Sequence, residues 1–321
     1  MNVSRTSIRT DLAIEAAALA SADSKAIDGA KIEEYEQNGI KISKVVIKTE
    51  QAAEKIGKPC GTYITIDAQV LRKNSEKGYD DTVNILSRQL ESILNLNPKS
   101  SVLVVGLGNR YVTPDALGPK VIDSLMVTRH LIDELPDVFG ENTRAVSAVS
   151  PGVLGLTGIE TLEIIRGITD KIKPDAVIAI DALASRKIDR ISTTIQLADT
   201  GIIPGSGIGN KRLGINKETL GIPVIAIGVP TVVDAATVAN DSIELLTDAI
   251  KTHADKNSPI LKHINIFETD NRYALIKQVL FPYVGELIVT PKEVDSIIDD
   301  ISEIIARGIN KTLLGSEVFD F

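Results

Sequence analysis

The feature that most constrains the fold of this 321-residue chain is an alternation of short, β-branched apolar runs with longer segments of helical period. Runs that are apolar at nearly every position are typical of strands buried on both faces, as in parallel sheets covered by helices. The runs are "SVLVVGLG", "DAVIAIDAL" and "IPVIAIGVP". Shorter strands are predicted at "SKVVIKT", "TYITIDA" and "ISTTIQLAD", the last as an antiparallel or edge strand. The pattern predicts a single large α/β domain, with a mostly parallel or mixed sheet flanked by helices and with added strands and loops.

Charge and composition exclude several classes of function. The net charge of −8 argues against a phosphate-binding surface, and the lack of tryptophan argues against a stacking platform for single strands. We therefore expect no direct nucleic-acid binding. No apolar run reaches the roughly 18 residues that span a bilayer, and Asp11 and Glu15 interrupt the only candidate signal segment, so we expect a cytoplasmic protein without membrane contact. The single cysteine, Cys60, has no histidine beside it and is interpreted as a buried or half-buried structural thiol.

Aspartates follow three of the predicted strands. "VVGLGN" leads to Asp115, "VIAID" ends on Asp181, and "VIAIGVPTVVD" leads to Asp234, which we place inside the following helix. Because loops converge beyond the carboxyl ends of parallel strands, we expect Asp115 and Asp181 in one crevice. Two close carboxyl groups share a proton, so that one can act as a base toward water while the other donates. The alternatives are that Asp115 only favours a helix N-terminus and that Asp181 is a solvated loop carboxylate.

Two glycine-rich stretches resemble nucleotide-binding loops without completing either motif. The first, around Gly106, Gly108 and Asn109, is interpreted as the turn that presents Asp115, with backbone N–H groups available to a developing oxyanion. The second, "GSGIGN", is not followed directly by an apolar-periodic helix, so we interpret it as a cleft wall or a moving flap. Its glycines are Gly205, Gly207 and Gly209. Because no His-Glu-x-x-His or Gly-x-Ser-x-Gly motif is present, we expect neither a metal, nor a cofactor, nor a serine nucleophile.

Several long motifs, in order along the chain, resemble the germination proteases of spore-forming bacteria. They are "RTDLAIEA", "VVGLGNRYVTPDALGP", "SAVSPGVLGLTGIET", "IDALASR", "IQLADTGIIPGSGIGNKR" and "IGVPTVVDA". The resemblance implies an endopeptidase of the forespore and spore core that is made as a self-processing zymogen and forms a homotetramer. Its substrates would be small acid-soluble, DNA-binding spore proteins. The two aspartates proposed as catalytic in that family correspond to Asp115 and Asp181.

The resemblance also gives the N-terminus a meaning. It implies cleavage after an acidic residue that precedes an apolar residue and an alanine, with another acid downstream, and "TDLAIE" fits this pattern. We predict self-cleavage between Asp11 and Leu12, which divides the chain into a propeptide, 1–11, and a catalytic domain, 12–321. The same residues are equally consistent with a helix that has Asp11 as its N-cap.

Two alternatives to a metal-free aspartic protease stay open. The chain is distantly similar to hydrogenase maturation endopeptidases, in which the corresponding acids help to hold a metal ion, so the same acids could be metal ligands here. The third ligand in those enzymes is a histidine that we cannot match in this sequence. A non-catalytic protein that sequesters a basic spore protein is the other alternative, and it predicts binding without cleavage.

Overall fold

The fold is that of a computed structural model, which describes residues 10–21, 27–73, 75–139, 143–204, 213–253 and 272–315. Within these ranges nine strands form one sheet, and helices cover both of its faces. The strands are β1 (Ala30–Gln37), β2 (Ile40–Ile47), β3 (Gly61–Asp67), β4 (Val102–Gly106), β5 (Val146–Val149), β6 (Ala176–Ser185), β7 (Thr194–Ala198), β8 (Val224–Asp234) and β9 (Ile288–Val289). The helices are α1 (Ala13–Ser21), α2 (Glu50–Ile56), α3 (Glu76–Leu94), α4 (Leu117–Asp123), α5 (Arg129–Glu134), α6 (Pro136–Phe139), α7 (Leu154–Thr157), α8 (Thr161–Ile172), α9 (Lys217–Leu220), α10 (Ala235–His253), α11 (Arg272–Val284) and α12 (Val294–Leu314).

The sheet has a parallel half and an antiparallel half that meet at β8. The strand order is β1-β2-β3-β7-β8-β6-β4-β5, and β9 pairs with the end of β8. β5, β4, β6 and β8 are parallel to one another, whereas β1, β2, β3 and β7 pair in antiparallel fashion and β7 joins β8 antiparallel. The expected α/β domain with a mixed sheet is confirmed.

One face of the sheet is covered by α3, α4 and α12. The amphipathic pattern of α12 places its isoleucines on the sheet, with Ile298, Ile305 and Ile309 fully buried. These side chains meet isoleucines of the central strands, such as Ile180 and Ile227. Burial of so many large aliphatic side chains, each worth about 1.5–3 kcal/mol, stabilises this layer without any tryptophan.

The opposite face carries two separate apolar clusters. The start of the described chain and α2 cover the antiparallel half, where Leu12 and Ala13 are completely buried. α8 covers the parallel half through Leu162 and Ile165. The polar residues described below lie on this same face.

Several boundaries differ from the sequence predictions. β6 does not end at Asp181 but continues to Ser185, because its pairing with β8 continues through Ser185 and Val233. β7 is antiparallel as expected, but it is an interior strand between β3 and β8. Asp234 is the last residue of β8, not a helical residue, and its Oδ1 accepts a hydrogen bond of 2.7 Å from the N–H of Ala236 at the start of α10.

Candidate active site

The turn after β4 is shaped by glycines that have no room for a side chain. A Cβ on Gly106 would lie 2.2 Å from the carbonyl oxygen of Gly118 in α4. Gly108 has a φ of +108°, and a Cβ there would lie 2.0 Å from the carbonyl oxygen of Asp115. Both glycines therefore let the chain fold back tightly, so that the 3₁₀ turn Thr113–Asp115 lies directly over the end of β4.

Asp115 is half-buried and is held by the turn that precedes it. Its Oδ2 accepts a hydrogen bond of 2.8 Å from the backbone N–H of Asn109, and the Asn109 side chain accepts one of 3.0 Å from the N–H of Tyr111. The expectation that this turn presents Asp115 fits these contacts. The Asn109 N–H, however, donates to the Asp115 carboxylate in this structure, so it is not the open oxyanion donor that the sequence suggested.

Asp181 lies inside β6 and is only 5% exposed. The neighbouring strand β4 pairs with β6 as far as Gly106 and Ile180, so Asp181 is the first residue of β6 beyond that partner. Its Oδ1 accepts a hydrogen bond of 3.0 Å from the N–H of Ala182. A buried carboxylate is therefore positioned where β4 ends, even though its own strand continues.

The structure brings the two aspartates to the same edge. The N–H of Leu107 donates to the carbonyl of Ile180 at 2.8 Å, which places the turn of Gly108 beside Asp181. The turn that carries Asp115 packs against both β6 and β8. The turn that carries Asp115 and the Asp181 position of β6 therefore lie at the same end of β4, where loops after parallel strands converge.

A row of residues runs across the sheet from Asp181. Asp181 of β6 is directly opposite Gly228 of β8, Gly228 is opposite Gln196 of β7, and Gln196 is opposite Thr65 of β3. Directly opposed residues project from the same face of a sheet, and neighbouring strands lie about 4.8 Å apart. Gln196 therefore shares a face with Asp181 at a distance of about two strand spacings.

The bond predicted to be cleaved lies on this face. Asp11 pairs with Ala184 of β6: its N–H donates to the Ala184 carbonyl at 3.0 Å, and its Oδ2 accepts from the Ala184 N–H at 2.9 Å. The Gln196 amide donates to the carbonyl oxygen of Asp11 at 3.2 Å and accepts from the N–H of Ala13 at 2.6 Å. The Asp11–Leu12 peptide bond thus lies beside β6, the strand that carries Asp181. Its contact on that strand, Ala184, is three residues after Asp181.

Glu15 is a buried charge on the same segment. Its carboxylate accepts hydrogen bonds from the backbone N–H groups of Arg186 at 2.8 Å and Lys187 at 3.2 Å. The Arg190 guanidinium lies 3.5 Å from Glu15 Oε1, and it also pairs with Asp67 at 3.3 Å. A carboxylate that is only 5% exposed is paired and hydrogen-bonded in this way because an isolated buried charge would be very costly.

A lysine faces the acid at the predicted cleavage site. Lys58 follows α2, and its partial burial lowers the pKa of its ammonium group, while the negative charge of Asp11 acts in the opposite direction. Lys58 was not among the residues singled out from the sequence, because nothing in "GKPCG" signals its proximity to residue 11.

Comparison with known proteins decides the family. A model of the germination protease family matches residues 8–262 and 246–318, nearly the whole described chain. The chain belongs to the germination protease family. That family supports a protease role, and hence peptide-bond hydrolysis, in spore germination.

Curated relatives of the germination protease family align over almost their full length. A germination protease of Caldanaerobacter subterraneus subsp. tengcongensis is 51% identical, over 95% of this chain and 94% of its own. One of Clostridium tetani is 47% identical, over 96% and 95%, and one of Bacillus licheniformis is 43% identical, over 98% and 95%. The crystal structure of a nickel–iron hydrogenase maturation protease from Thermococcus kodakarensis covers 44% of this chain and 80% of its own, with 22% identity and a TM-score of 0.29.

The cysteine and the described histidines of this chain are not part of the site around Asp115 and Asp181. Cys60 is exposed, which corrects the expectation of a buried thiol, and its Sγ donates to Glu50 at 3.8 Å. Local desolvation and the negative charge of Glu50 raise the pKa of the Cys60 thiol, which opposes nucleophilic reactivity. His130 and His253 are exposed on α5 and α10. The described residues contain no group of three or more His, Cys, Asp or Glu side chains arranged to hold a metal ion.

The predicted cleft-wall loop lies outside the described residues, and so its glycines Gly205, Gly207 and Gly209 stay predictions. The same holds for residues 1–9 of the predicted propeptide. No helix in the described ranges is long and apolar enough to span a membrane.

Proposed function

We propose that this chain is an endopeptidase, made as a self-processing zymogen, in which Asp115 and Asp181 activate the hydrolytic water. Its substrates are small acid-soluble, DNA-binding spore proteins, whose degradation it initiates during germination by cutting after an acidic residue. The propeptide is residues 1–11, and the catalytic domain is residues 12–321. No cofactor takes part in this scheme.

The single observation that carries the proposal is the position of the Asp11–Leu12 bond. Its carbonyl oxygen is held by the Gln196 side chain, and Asp11 is hydrogen-bonded to Ala184 on the strand that carries Asp181. A segment that only anchored a helix would have no need to place an acid–apolar peptide bond on the face of Asp181. The docking geometry favours a substrate bound in cis.

The proposed chemistry needs two carboxyl groups in different protonation states. One carboxylate removes a proton from water while the water oxygen bonds to the Asp11 carbonyl carbon. The other, protonated carboxyl gives its proton to the Leu12 nitrogen as the C–N bond breaks. The products are a new carboxyl group on Asp11 and a free amino group on Leu12. Which aspartate acts as the base stays open.

The Gln196 amide has a supporting role in this scheme. Its Nε2–H already donates to the carbonyl oxygen that becomes negatively charged when water adds. A donor aimed at a developing oxyanion stabilises the transition state more than the ground state. This role replaces the one that the sequence suggested for the N–H groups around Asn109.

Intact-mass spectrometry of the full chain under mildly acidic conditions tests the proposal. Wild type should lose residues 1–11 and gain an N-terminus at Leu12, whereas Asp115→Asn and Asp181→Asn should stay intact. Asp234→Asn is a matched control, because Asp234 is an aspartate at the end of β8 whose carboxylate caps the start of α10. An intact wild-type chain that also spares a small acid-soluble spore protein would refute the protease mechanism proposed here.

The metal-assisted alternative is separated by the same assay. Under the proposed mechanism a chelator leaves the rate unchanged. Loss of cleavage with a chelator, restored by a divalent ion, would instead assign Asp115 and Asp181 to a metal site of the hydrogenase-maturation type. Binding of a spore protein without cleavage would favour the sequestering alternative.

Assembly and location belong to the same proposal. We propose a homotetramer in the cytoplasm of the forespore and in the spore core, with neither nucleic acid nor membrane as a direct partner. Light scattering of the purified chain tests the tetramer, and a fluorescent fusion followed through sporulation tests the location.

A further inference from the structure

The side chain of Gln196 has both of its polar ends committed to the N-terminal segment. Its Nε2 donates to the Asp11 carbonyl, and its Oε1 accepts from the Ala13 N–H at 2.6 Å. Gln196 is 8% exposed and lies in an interior strand, so the loss of these partners would leave a buried amide unsatisfied. Because the two bonds go to backbone atoms on either side of Leu12, they fix the path of the peptide without reading its side chains.

A second fixed point lies four residues after Asp11. The Glu15 carboxylate is enclosed by two backbone N–H groups and the Arg190 guanidinium. Arg190 is held in turn by Asp67, whose other oxygen accepts from the Thr194 hydroxyl. The Thr10 hydroxyl also donates to Glu15, at 2.5 Å, but the other donors come from the segment that directly follows β6 and from the 3₁₀ turn Ile188–Arg190.

Between Asp11 and Glu15 the site restricts the size of the side chain that follows Leu12. Leu12 and Ala13 are fully buried in an apolar cluster with Tyr63 and Leu183. A residue larger than alanine at position 13 would have to displace close-packed neighbours, which commonly costs about 1–3 kcal/mol. The groove therefore accepts an acid, an apolar residue, a small residue, one further residue and a second acid.

We propose that residues 11–15 occupy the substrate groove of the enzyme, that Gln196 is the positioning residue for the peptide backbone, and that Arg190 determines specificity for the second acid. The inference rests on the proposed function, because it takes the bond between the first two groove residues as the bond to be cut. It assigns two residues outside the aspartate pair and identifies the ligand as a peptide with carboxylates four residues apart, the first hydrogen-bonded to β6 and the second in the first turn of a helix.

The first experiment measures the rate of self-cleavage in the full chain. Gln196→Met keeps the length of the side chain but removes both hydrogen bonds, and it should slow cleavage about tenfold or more. Glu15→Gln and Arg190→Gln should each slow it about tenfold, and the double variant should be no slower than either single one, since both remove the same interaction. Arg190→Lys should recover part of the rate, because it restores the charge without the fork.

Lys187→Gln is the matched control. It removes a neighbouring positive charge, but only the backbone N–H of Lys187 contacts Glu15, so the rate should stay within about twofold of wild type. Additive losses of about 100-fold in the double variant, or unchanged rates in Gln196→Met, would overturn the assignment while leaving self-cleavage itself intact.

A second experiment is independent of cleavage. In the Asp181→Asn background, hydrogen exchange at the amide of Ala13 reports whether the segment is docked. Gln196→Met and Arg190→Gln should each speed this exchange at least fivefold, and Lys187→Gln should not. If exchange responds in this way but the chain with Asp181 intact never cuts itself, the groove stands as a peptide-binding site and the proposed function fails. If exchange does not respond, the groove assignment fails whatever the cleavage result.

Discussion

The two halves of the sheet differ in what they bury. In the parallel half, β4 and the first residues of β6 are apolar throughout, and Asp181 is the buried charge among them. In the antiparallel half, one face buries polar side chains on adjacent strands, among them Thr65, Thr194 and Gln196. A buried carboxyl group among apolar strands is suited to proton chemistry, whereas a row of amides and hydroxyls is suited to holding a peptide. Under the proposed function, Asp181 of the parallel half takes part in the reaction, and Gln196 of the antiparallel half holds the peptide backbone from the other side of β8.

β8 joins these halves through one residue without a side chain. Gly228 lies between Asp181 and Gln196, and a Cβ there would approach Leu183 to 2.3 Å. Leu183 covers the glycine and packs in the same cluster as Leu12. Because Gly228 leaves this space to Leu183, Leu183 fills it and shares an apolar cluster with Leu12, the residue after the predicted cleavage site.

The largest expected effect is a loss of hydrolysis when an aspartate of the proposed catalytic pair is replaced. It tests whether the parallel half of the sheet carries the reaction. Asp115→Asn and Asp181→Asn should each reduce hydrolysis of a small acid-soluble spore protein by a factor on the order of 10³ or more, since each removes a proton-transfer group. Circular dichroism should show an unchanged fold. If the loss of one aspartate lowers the initial rate less than tenfold, that aspartate does not take part in the reaction. The parallel half would then not be the reacting half of the sheet.

A smaller effect is expected on stability, from the close packing of the turn after β4 against α4. Gly106→Ala would drive a Cβ to 2.2 Å from the backbone of Gly118, so we expect the free energy of unfolding to fall by about 3 kcal/mol. Gly155→Ala is the matched control in α7, where no atom lies within 4 Å of the added Cβ, and it should change stability by less than about 0.5 kcal/mol. Urea titrations of both variants measure the difference. Equal midpoints would show that the turn can open without cost.

The antiparallel half should respond to alkaline pH through Tyr63. Burial raises the pKa of Tyr63 to about 12, so the folded chain keeps the phenol proton where the unfolded chain, with a pKa near 10, has lost it. Below pH 10 both states hold the proton, so the free energy of unfolding does not depend on this group. As the pH rises from 10 through 12 the unfolded chain loses the proton first, and the free energy of unfolding falls by at most about 2 kcal/mol. Tyr63→Phe should flatten that decline in urea titrations at pH 9 to 12. An equal decline in wild type and variant would assign it to other groups.

The smallest expected effect is a change in stability when buried threonines on the polar face of the antiparallel half are replaced. The buried hydroxyl of Thr65 has no hydrogen-bond partner among the described residues, whereas the Thr194 hydroxyl donates to Asp67 at 2.5 Å. Thr65→Val should therefore stabilise the fold by about 1 kcal/mol, and Thr194→Val should destabilise it by about 1–2 kcal/mol. Thermal unfolding of the pair measures both signs. A destabilised Thr65→Val variant would mean that the hydroxyl has a partner after all.

The sequence predicted strands in both halves of the sheet, including β2, β3 and β7 of the antiparallel half. The parallel strands could be predicted, because doubly buried strands leave continuous apolar runs. The pairing of Asp115 with Asp181 in one site stays a prediction. The end of β6 was misjudged, since a single charged residue is a weak stop signal when strand pairing continues on one side. β1 was missed in its charged sequence, although Asn38-Gly39, with φ values of 55° and 75°, is a strong hairpin signal before β2.

The groove could not be predicted, because it depends on register. No local pattern tells that Gln196 lies opposite Gly228, or that the segment after β6 turns its N–H groups toward Glu15. The contact between Arg186 and Glu15 joins residues 171 positions apart, and tertiary pairing alone creates both contacts. The acid pattern of residues 11–15 was visible in the sequence, but its partners were not.

The most direct test of the division between reaction and recognition is a side-by-side mass spectrum of self-cleavage in Asp181→Asn and Gln196→Met. We expect no product from Asp181→Asn and a slower product with an N-terminus at Leu12, or cuts at neighbouring bonds, from Gln196→Met. Rapid, accurate cleavage by Gln196→Met, or normal cleavage by Asp181→Asn, would contradict the assigned roles.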